Sequence, residues 1–493
     1  MASEAIVDVD GLTGDRGGAR TKQGGAGSGR YHRAVPGSAG APGHDVPGED
    51  IRTGGADGNR PTRPITWSHP EAKGPMRTLV VSGEYPWPDN SGSRLRLATV
   101  LRGLASCGPT DLFAILPTAR TDIGPPDPSV GLERIGHVAF DDRPPEGIRR
   151  LAALVSSTTP FELPRTDGGV ALRALTRFTR GHYDLVWYFG IRPLVLTGGL
   201  LSAPSVLDLV DLEDAKITAR MAIPADTASG PTAALRRLAS RVFSGEEVRR
   251  WRRLQRASGA RMAATVVCSD LDAGRARAGG VSRVEVVPNA YRVVDEPVGR
   301  VEVGDPPTVL FQGTLRYPPN AEAARFLVGE VVPRLRTLAP DVRVRLVGTT
   351  APALEALDDP PTVNLVGQVP DMSEELARAD VVVVPIRFGS GTRLKVLEAF
   401  AQRVPVVATT LGAEGLGAED GVHLLLADTP DDLAAACARL LVDEGLRTDL
   451  VARAHELFVE RYADGIVAAG VADLARRIGT GVRGNARQSG PQC

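Results

Sequence analysis

Residues 379–416, ADVVVVPIRFGSGTRLKVLEAFAQRVPVVATTLGAEGL, read as buried strand, glycine loop, helix, second buried strand and second loop. The continuous apolar run Val381 to Val384 is what a strand needs when both faces of a parallel sheet are covered. Gly389, Ser390, Gly391 and Thr392 follow, after which Leu394, Leu397 and Ala401 recur at helical spacing. Such a strand–loop–helix–strand order restricts the segment to an open α/β sheet, in which ligands bind at the carboxyl ends of the strands.

Thr392 is the expected N-cap, which would leave the first amides of the helix directed into the loop. A helix start of this kind favours anions. Arg393 and Lys395 place two cations in the same turn, and Glu398 follows one turn later. Positive charge beside exposed amides suits a diphosphate, and a nearby carboxylate suits sugar hydroxyls. The pattern therefore outlines a nucleotide-sugar site. Taken singly, the same residues also fit solvated helix charges and a surface ion pair.

The segment resembles the signature of glycosyltransferase family 4, retaining transferases of GT-B fold, and most of all the exopolysaccharide-associated branch whose loops read G-x-G-T-R-L-K-x-L-E-A. FQGTLRYPPNAEAARFL (311–327), LVGQVPDM (365–372), VVCSDLDA (266–273) and VVPNAY (286–291) extend the resemblance. MRTLVVSGEYPWPDNSGSRLRLATVLRGLASCG (76–108) resembles the first β-loop-α unit of that fold, so the resemblance covers about residues 76–475. It implies that Arg393, Lys395 and the amides at Gly391 and Thr392 hold the donor diphosphate. It also implies that Glu398 takes the ribose hydroxyls and that attack occurs on the front face, with a diphosphate oxygen as base.

The departures from the family are specific. The family commonly has two glutamates eight residues apart; Glu398 matches the second, and Ser390 stands at the first. Where many members carry an Arg and a Lys after the first donor-domain strand, this chain reads GTLRYPPN, with Thr314 in the Arg position. Arg393 and Lys395 are expected to replace that pair from the other side of the cleft.

Length and charge set further bounds. The 493 residues suffice for two domains with tails, and a net charge of -1 argues against a general nucleic-acid binder. Cys107, Cys268, Cys437 and Cys493 show no CxxC spacing, and no histidine pair suggests a metal. Residues 1–75 hold 16 of the 55 glycines and few clustered apolar residues, so a disordered extension is expected there. Either it is a tail or translation starts at Met76, which runs straight into the first strand; the second is favoured. No run of 18 apolar residues occurs, so a cytoplasmic location is expected, with peripheral contact at the inner membrane face as an option.

From Thr78 onward strands and helices alternate. The pattern predicts strands at 78–82, 110–115, 185–188, 205–209, 265–268 and 284–287, then at 308–312, 343–347, 363–366, 381–384, 404–408 and 423–426. The fold class is thus α/β, two Rossmann-like doubly wound domains facing across a cleft. The acceptor domain is expected over 76–290, the donor domain over 291–480 and a frayed tail over 481–493. Gly83 to Ser93 should line the acceptor side, with Gly92 allowing close backbone approach. In SVLDLVDLED (205–214), Asp208 and Asp211 stand where the family often has a catalytic polar residue, and either would orient the acceptor hydroxyl. Glu414, in the loop after the next strand, either touches the base or sugar or faces water. Nine arginines between Leu235 and Met262, with Val248, Trp251 and Leu254 on one side, suggest a helix that rests on an anionic membrane or packs on the domain.

The leading expectation is a retaining transferase moving sugar from a UDP-, GDP- or dTDP-sugar to a hydroxyl of a glycan, a lipid-linked or a small-molecule acceptor, without metal or cofactor. Two alternatives stand beside it: a GT-B-like protein that binds nucleotide sugar or glycan without transfer, and a sugar-nucleotide epimerase. An NAD-dependent Rossmann enzyme is excluded, because no G-x-G-x-x-G follows the first strand.

Overall fold

The computed structural model describes residues 4–8, 74–118, 123–140, 159–161, 163, 169–199, 203–222, 231–297, 306–389, 391 and 393–486. The expected disorder of the extension concerns residues that lie, Glu4–Asp8 and Gly74–Pro75 apart, outside this set. Ser390 and Thr392 also lie outside it.

The first sheet contains β1 (Glu4–Asp8), β2 (Thr78–Ser82), β3 (Thr110–Pro117), β4 (Arg134–Phe140), β5 (Leu185–Phe189), β6 (Ser205–Asp208), β7 (Ala264–Val267) and β8 (Val284–Val286). Their order is β1-β4-β3-β2-β5-β6-β7-β8, parallel throughout except for β1, which pairs antiparallel with β4 at the edge. Leu79, Val80 and Val81 of β2 are fully buried because helices cover both faces. These helices are α1 (Gly92–Ala105), α2 (Gly169–Phe178), α3 (Ile191–Thr197), α4 (Glu213–Ala222), α5 (Pro231–Ala260) and α6 (Asp270–Ala278). The strand order reverses between β2 and β5, which opens a crevice at their carboxyl ends beside the loop from Gly83 to Ser91.

The second sheet is wholly parallel, in the order β11-β10-β9-β12-β13-β14. Its strands are β9 (Thr308–Gln312), β10 (Arg343–Val347), β11 (Val363–Gly367), β12 (Val381–Val384), β13 (Val406–Ala408) and β14 (Leu425–Leu426). Helices α7 (Pro318–Phe326), α8 (Val332–Leu338), α9 (Met372–Ala377), α10 (Leu394–Ala401), α11 (Pro430–Val442) and α12 (Glu444–Arg461) pack around it. Val309, Leu310 and Val381 to Val384 are fully buried in its core, as the apolar run requires. Here the order reverses between β9 and β12, so the loops leaving those two strands lie side by side.

Two features differ from the expected organisation. Strands β1 and β4 were not anticipated; β4 carries RIGHVAF, in which Arg134 and His137 interrupt the apolar pattern. The last helix, α13 (Asp464–Ala486), does not close the second domain: Val467, Val471, Leu474 and Ala475 join the core of the first sheet. A Cβ on Gly103 of α1 would lie 2.5 Å from the Ala468 carbonyl oxygen, so small residues let the two helices approach closely. This helix continues through residues expected to fray, and 487–493 lie outside the described set. Of the two placements expected for the arginine-rich helix, its Val248–Trp251 side takes the packed one, with Trp251 in the first core and Val248 also buried.

Candidate functional site

The loop from Pro385 to Arg393 leaves β12 at the reversal point of the second sheet. Gly389 and Gly391 adopt φ values of +130° and +77°, which side chains rarely tolerate. Helix α10 starts at Leu394, and its N-cap residue is Arg393 rather than Thr392 as the sequence suggested. Arg393 makes no side-chain cap; its guanidinium instead packs back on Gly389, within 3.1 Å of where a Cβ would stand. The side chain is 9% exposed.

Lys395, in the first turn of α10, turns toward the loop that leaves β9. Its ammonium donates to Asn320 Oδ1 at 2.8 Å and lies 4.4 Å from the centre of the Phe311 ring. The same ammonium is 3.0 Å from the position of a Cβ on Gly313, so the absence of a side chain there leaves room for it. The ammonium therefore serves the GTLRYPPN segment, from a helix of the same domain. Glu398 is the next group along. Gln312, at the end of β9, donates Nε2 to the Lys395 carbonyl at 3.3 Å, and its amide also acts on the Glu398 carboxyl.

The first sheet supplies the facing wall. Asp211 follows β6, and a Cβ on Gly391 would come within 2.5 Å of its Oδ1. Leu394 meets Gly92 at the start of α1 in the same way, at 2.7 Å from a hypothetical Cβ. Thus the loops after β6 and before α1 meet the α10 loop, and Arg393, Lys395, Glu398 and Asp211 come together as one chain of interacting charges. Lys216 and Tyr317, which the sequence reading did not single out, belong to it as well. Lys216 Nζ lies 5.6 Å from the Tyr317 ring centre and 3.5 Å from Glu213 Oε2.

Burial dominates the electrostatics. It pushes Asp211 up to about 7, with Lys216 opposing and Glu213 reinforcing the shift. Glu398 likewise rises to about 7 through burial, against Gln312, Lys395 and Arg292. Lys395 falls to about 7 through burial and then the neighbouring Arg393. Arg393 is lowered by burial, while Asp211, Tyr317, Glu414 and Asp272 support its charge. A cluster so arranged, half-buried apart from the buried Arg393, holds charges that an anionic ligand with hydroxyl groups would complete.

The remaining expected residues fall at different distances from this group. A Cβ on Gly83 would stand 3.5 Å from Pro193, an ordinary contact distance. Asp208 is fully buried rather than presented to an acceptor: its Oδ1 accepts from Arg96 Nη2 at 2.8 Å and Nε at 3.2 Å. Arg96 Nη1 donates in turn to the carbonyls of Val287 and Pro288 and to Asn289 Oδ1, so the pair supports the floor of the crevice. Glu414 forms an ion pair with Arg275 of α6, a link from the second domain to the first. Lys216 was missed because a lysine in a charged helix such as EDAKITARMA carries no distinguishing spacing.

Residues 306–443 match the family model described as glycosyl transferases group 1. Phosphatidyl-myo-inositol mannosyltransferase of Mycolicibacterium smegmatis is 32% identical over 184 residues, 36% of this chain and 47% of that protein. An exopolysaccharide phosphotransferase of Streptomyces coelicolor is 39% identical over 110 residues, 22% of this chain and 12% of that protein. The chain spans less than half the length of these curated relatives. Two solved structures share the fold across nearly their whole length. Anabaena HepE in complex with UDP and glucose aligns with a TM-score of 0.54 at 15% identity, over 81% of this chain and 99% of that one. Sucrose-phosphate synthase from Thermosynechococcus elongatus aligns with a TM-score of 0.57 at 16% identity, over 82% and 100%. The architecture is α/β, two Rossmann-like sheets in the GT-B manner.

Proposed function

We propose that the chain is a retaining glycosyltransferase of the family 4 type, moving a sugar from a nucleotide donor to an acceptor hydroxyl. The observation that carries this reading is the convergence of Arg393, Lys395 and Glu398 at the strand reversal of the second sheet, opposite Asp211 of the first. In the reaction the bond from the anomeric carbon to the diphosphate oxygen breaks. A bond from the acceptor oxygen forms on the same face, and the acceptor proton passes to the departing diphosphate.

Each residue then has a defined task. Arg393, Lys395 and the Gly391 amide stabilise the charge that develops on the diphosphate; a well-placed donor in a water-poor site contributes about 3–4 kcal/mol. Glu398 accepts from the ribose hydroxyls. Ser390 offers a hydroxyl to the sugar where relatives of this type have a carboxylate. Asp211 orients the acceptor. HepE binds UDP and glucose, and the mycolicibacterial relative is named as a mannosyltransferase acting on a phosphatidylinositol. A nucleotide-sugar co-substrate and a glycan, lipid-linked or small-molecule acceptor are the corresponding assignments here.

Contact with a membrane surface would involve the earlier part of α5 and not its buried Val248–Trp251 side. Leu238, Val242 and Phe243 are exposed there beside Arg237 and Arg241, and no helix among the described residues is long and apolar enough to cross a membrane. Flotation with phosphatidylglycerol vesicles that leaves the protein at the bottom of the gradient would remove this assignment.

Calorimetric titration of the full chain with UDP, GDP, ADP and dTDP, and with their common sugars, tests the central reading. One diphosphate should bind, and Glu398→Ala should weaken it. No binding to any of them would favour the alternative of a glycan-binding protein without donor chemistry. Product formation in the absence of any acceptor would favour an epimerase.

A further inference from the structure

The diphosphate assignment leaves a physical question open. Arg393 is nearly buried and Lys395 is engaged by Asn320 and Phe311, and both cations are carried by the second domain. Lys216 differs. It stands in the first turn of α4, and its side chain is 30% exposed. Its ammonium lies over Tyr317, the N-cap residue of α7 at the end of the β9 loop, and so extends from the first domain to the second.

Helix α4 is held in place independently of this contact. Arg252 of α5 donates Nε to Asp214 Oδ2 at 2.9 Å, and the Lys216 amide donates to the Leu212 carbonyl at 3.0 Å. The lysine therefore has a fixed base and an accessible head. Its partner Glu213 is 3.5 Å away and 26% exposed, a loose pair that a stronger anion can replace. Asp211 and Glu213 would otherwise present two carboxylates to a diphosphate, and Lys216 is the cation on their own segment that offsets them.

Resting on the nucleotide-sugar reading, we propose that Lys216 is a ligand-contacting residue of the site, a cation from the acceptor domain that closes on the donor phosphates across the cleft from Arg393. Tyr317 provides the face on which the lysine rests before the ligand arrives. The lysine meets its strongest partner only when that ligand is bound.

The test compares a nucleoside diphosphate with its nucleoside. The probe is whichever of UDP, GDP, ADP and dTDP binds the parent chain, together with uridine, guanosine, adenosine or thymidine to match. Lys216→Met should weaken the diphosphate about tenfold or more, as loss of one charge-assisted contact does. Affinity for the nucleoside should stay within about twofold, since the residue's role is to meet phosphate. Lys216→Arg should retain most of the diphosphate preference. Should the methionine variant lower Tm, Lys216→Gln gives the same comparison.

An unchanged ratio of diphosphate to nucleoside affinity in the Met and Gln variants would overturn the role of Lys216. Equal weakening of both ligands would do the same, by showing a structural effect. A parent chain that binds no diphosphate would instead overturn the nucleotide-sugar reading itself.

Discussion

Asp211 Oδ1 occupies the space in which a side chain on Gly391 would begin, 2.5 Å from an ideal Cβ there. A carboxylate from the first domain thus reaches the loop that leads into α10 of the second. The contact depends on a glycine twice, since Gly391 also adopts a φ of +77°. Gly391→Ala should destabilise the chain by about 1–2 kcal/mol, from left-handed strain together with displacement of Asp211. Combining it with Asp211→Gly should remove the steric part and leave the strain. Denaturant midpoints of the single and double variants measure the difference, and strict additivity would mean that the contact is absent in solution.

The same carboxyl makes stability depend on pH. In the unfolded chain Asp211 loses its proton near 3.8; in the folded chain burial holds the proton to about 7. Between those values the folded state binds more protons than the unfolded state, so rising pH lowers the free energy of unfolding. Above about 7 the loss is complete and the contribution is flat. Asp211→Asn should therefore raise Tm, with a gain that grows from pH 5 to pH 7 and levels off by pH 8. Loss of turnover should accompany it. A gain of constant size over that range would contradict the burial argument.

Much of this arrangement was legible from residue order. The apolar run Val381 to Val384 matched a strand covered on both sides, and the glycines between β12 and α10 marked the loop where φ turns positive. What sequence order could not carry were contacts between distant segments. Asp208 and Asp211 are three residues apart and look alike in SVLDLVDLED, but the first lies on a strand and meets Arg96 in the core. The second lies beyond the strand end and meets Gly391. Lys216 is functional in this reading only because β6 and β9 bring α4 to Tyr317, more than 90 positions away in sequence. Helix α13 falls within the bounds expected for the donor domain, but its apolar residues pack in the core of the first sheet, where Gly103 of α1 lets it approach; a contact between segments that far apart leaves no mark in residue order.

The Arg96–Asp208 pair offers a separate check on the floor of the crevice. Arg96 is 2% exposed and donates to one carboxylate, two backbone carbonyls and one amide oxygen. Removing it leaves Asp208 buried without its cation and the Val287 and Pro288 carbonyls without a donor. Arg96→Met should cost about 3–5 kcal/mol, the range for breaking a buried pair from one side. Asp208→Asn keeps an acceptor for the guanidinium and should cost less. Urea titration resolves the two, and equal costs would show that the ion pair dominates over the carbonyl contacts, which only Arg96→Met removes.

Arg403 presents the opposite case, a position where the chain is less stable than it could be. It follows α10 with a φ of +56°, the left-handed conformation in which glycine is favoured at a helix end. Its guanidinium compensates weakly, through contacts of 3.4–3.5 Å with the Asp295 carbonyl and 3.4 Å with His455 Nε2. Hydrogen bonds of that length at a partly exposed site contribute little, whereas the left-handed penalty for a residue with a β-carbon is about 1–2 kcal/mol. The backbone effect should win. Arg403→Gly is expected to stabilise the chain by about 0.5–1 kcal/mol, allowing for the greater freedom that glycine gives the unfolded state. A chemical denaturation midpoint that rises with an unchanged slope would bear this out. A fall would mean that the tie from Arg403 to Asp295, on the segment between the two sheets, contributes more than its geometry suggests.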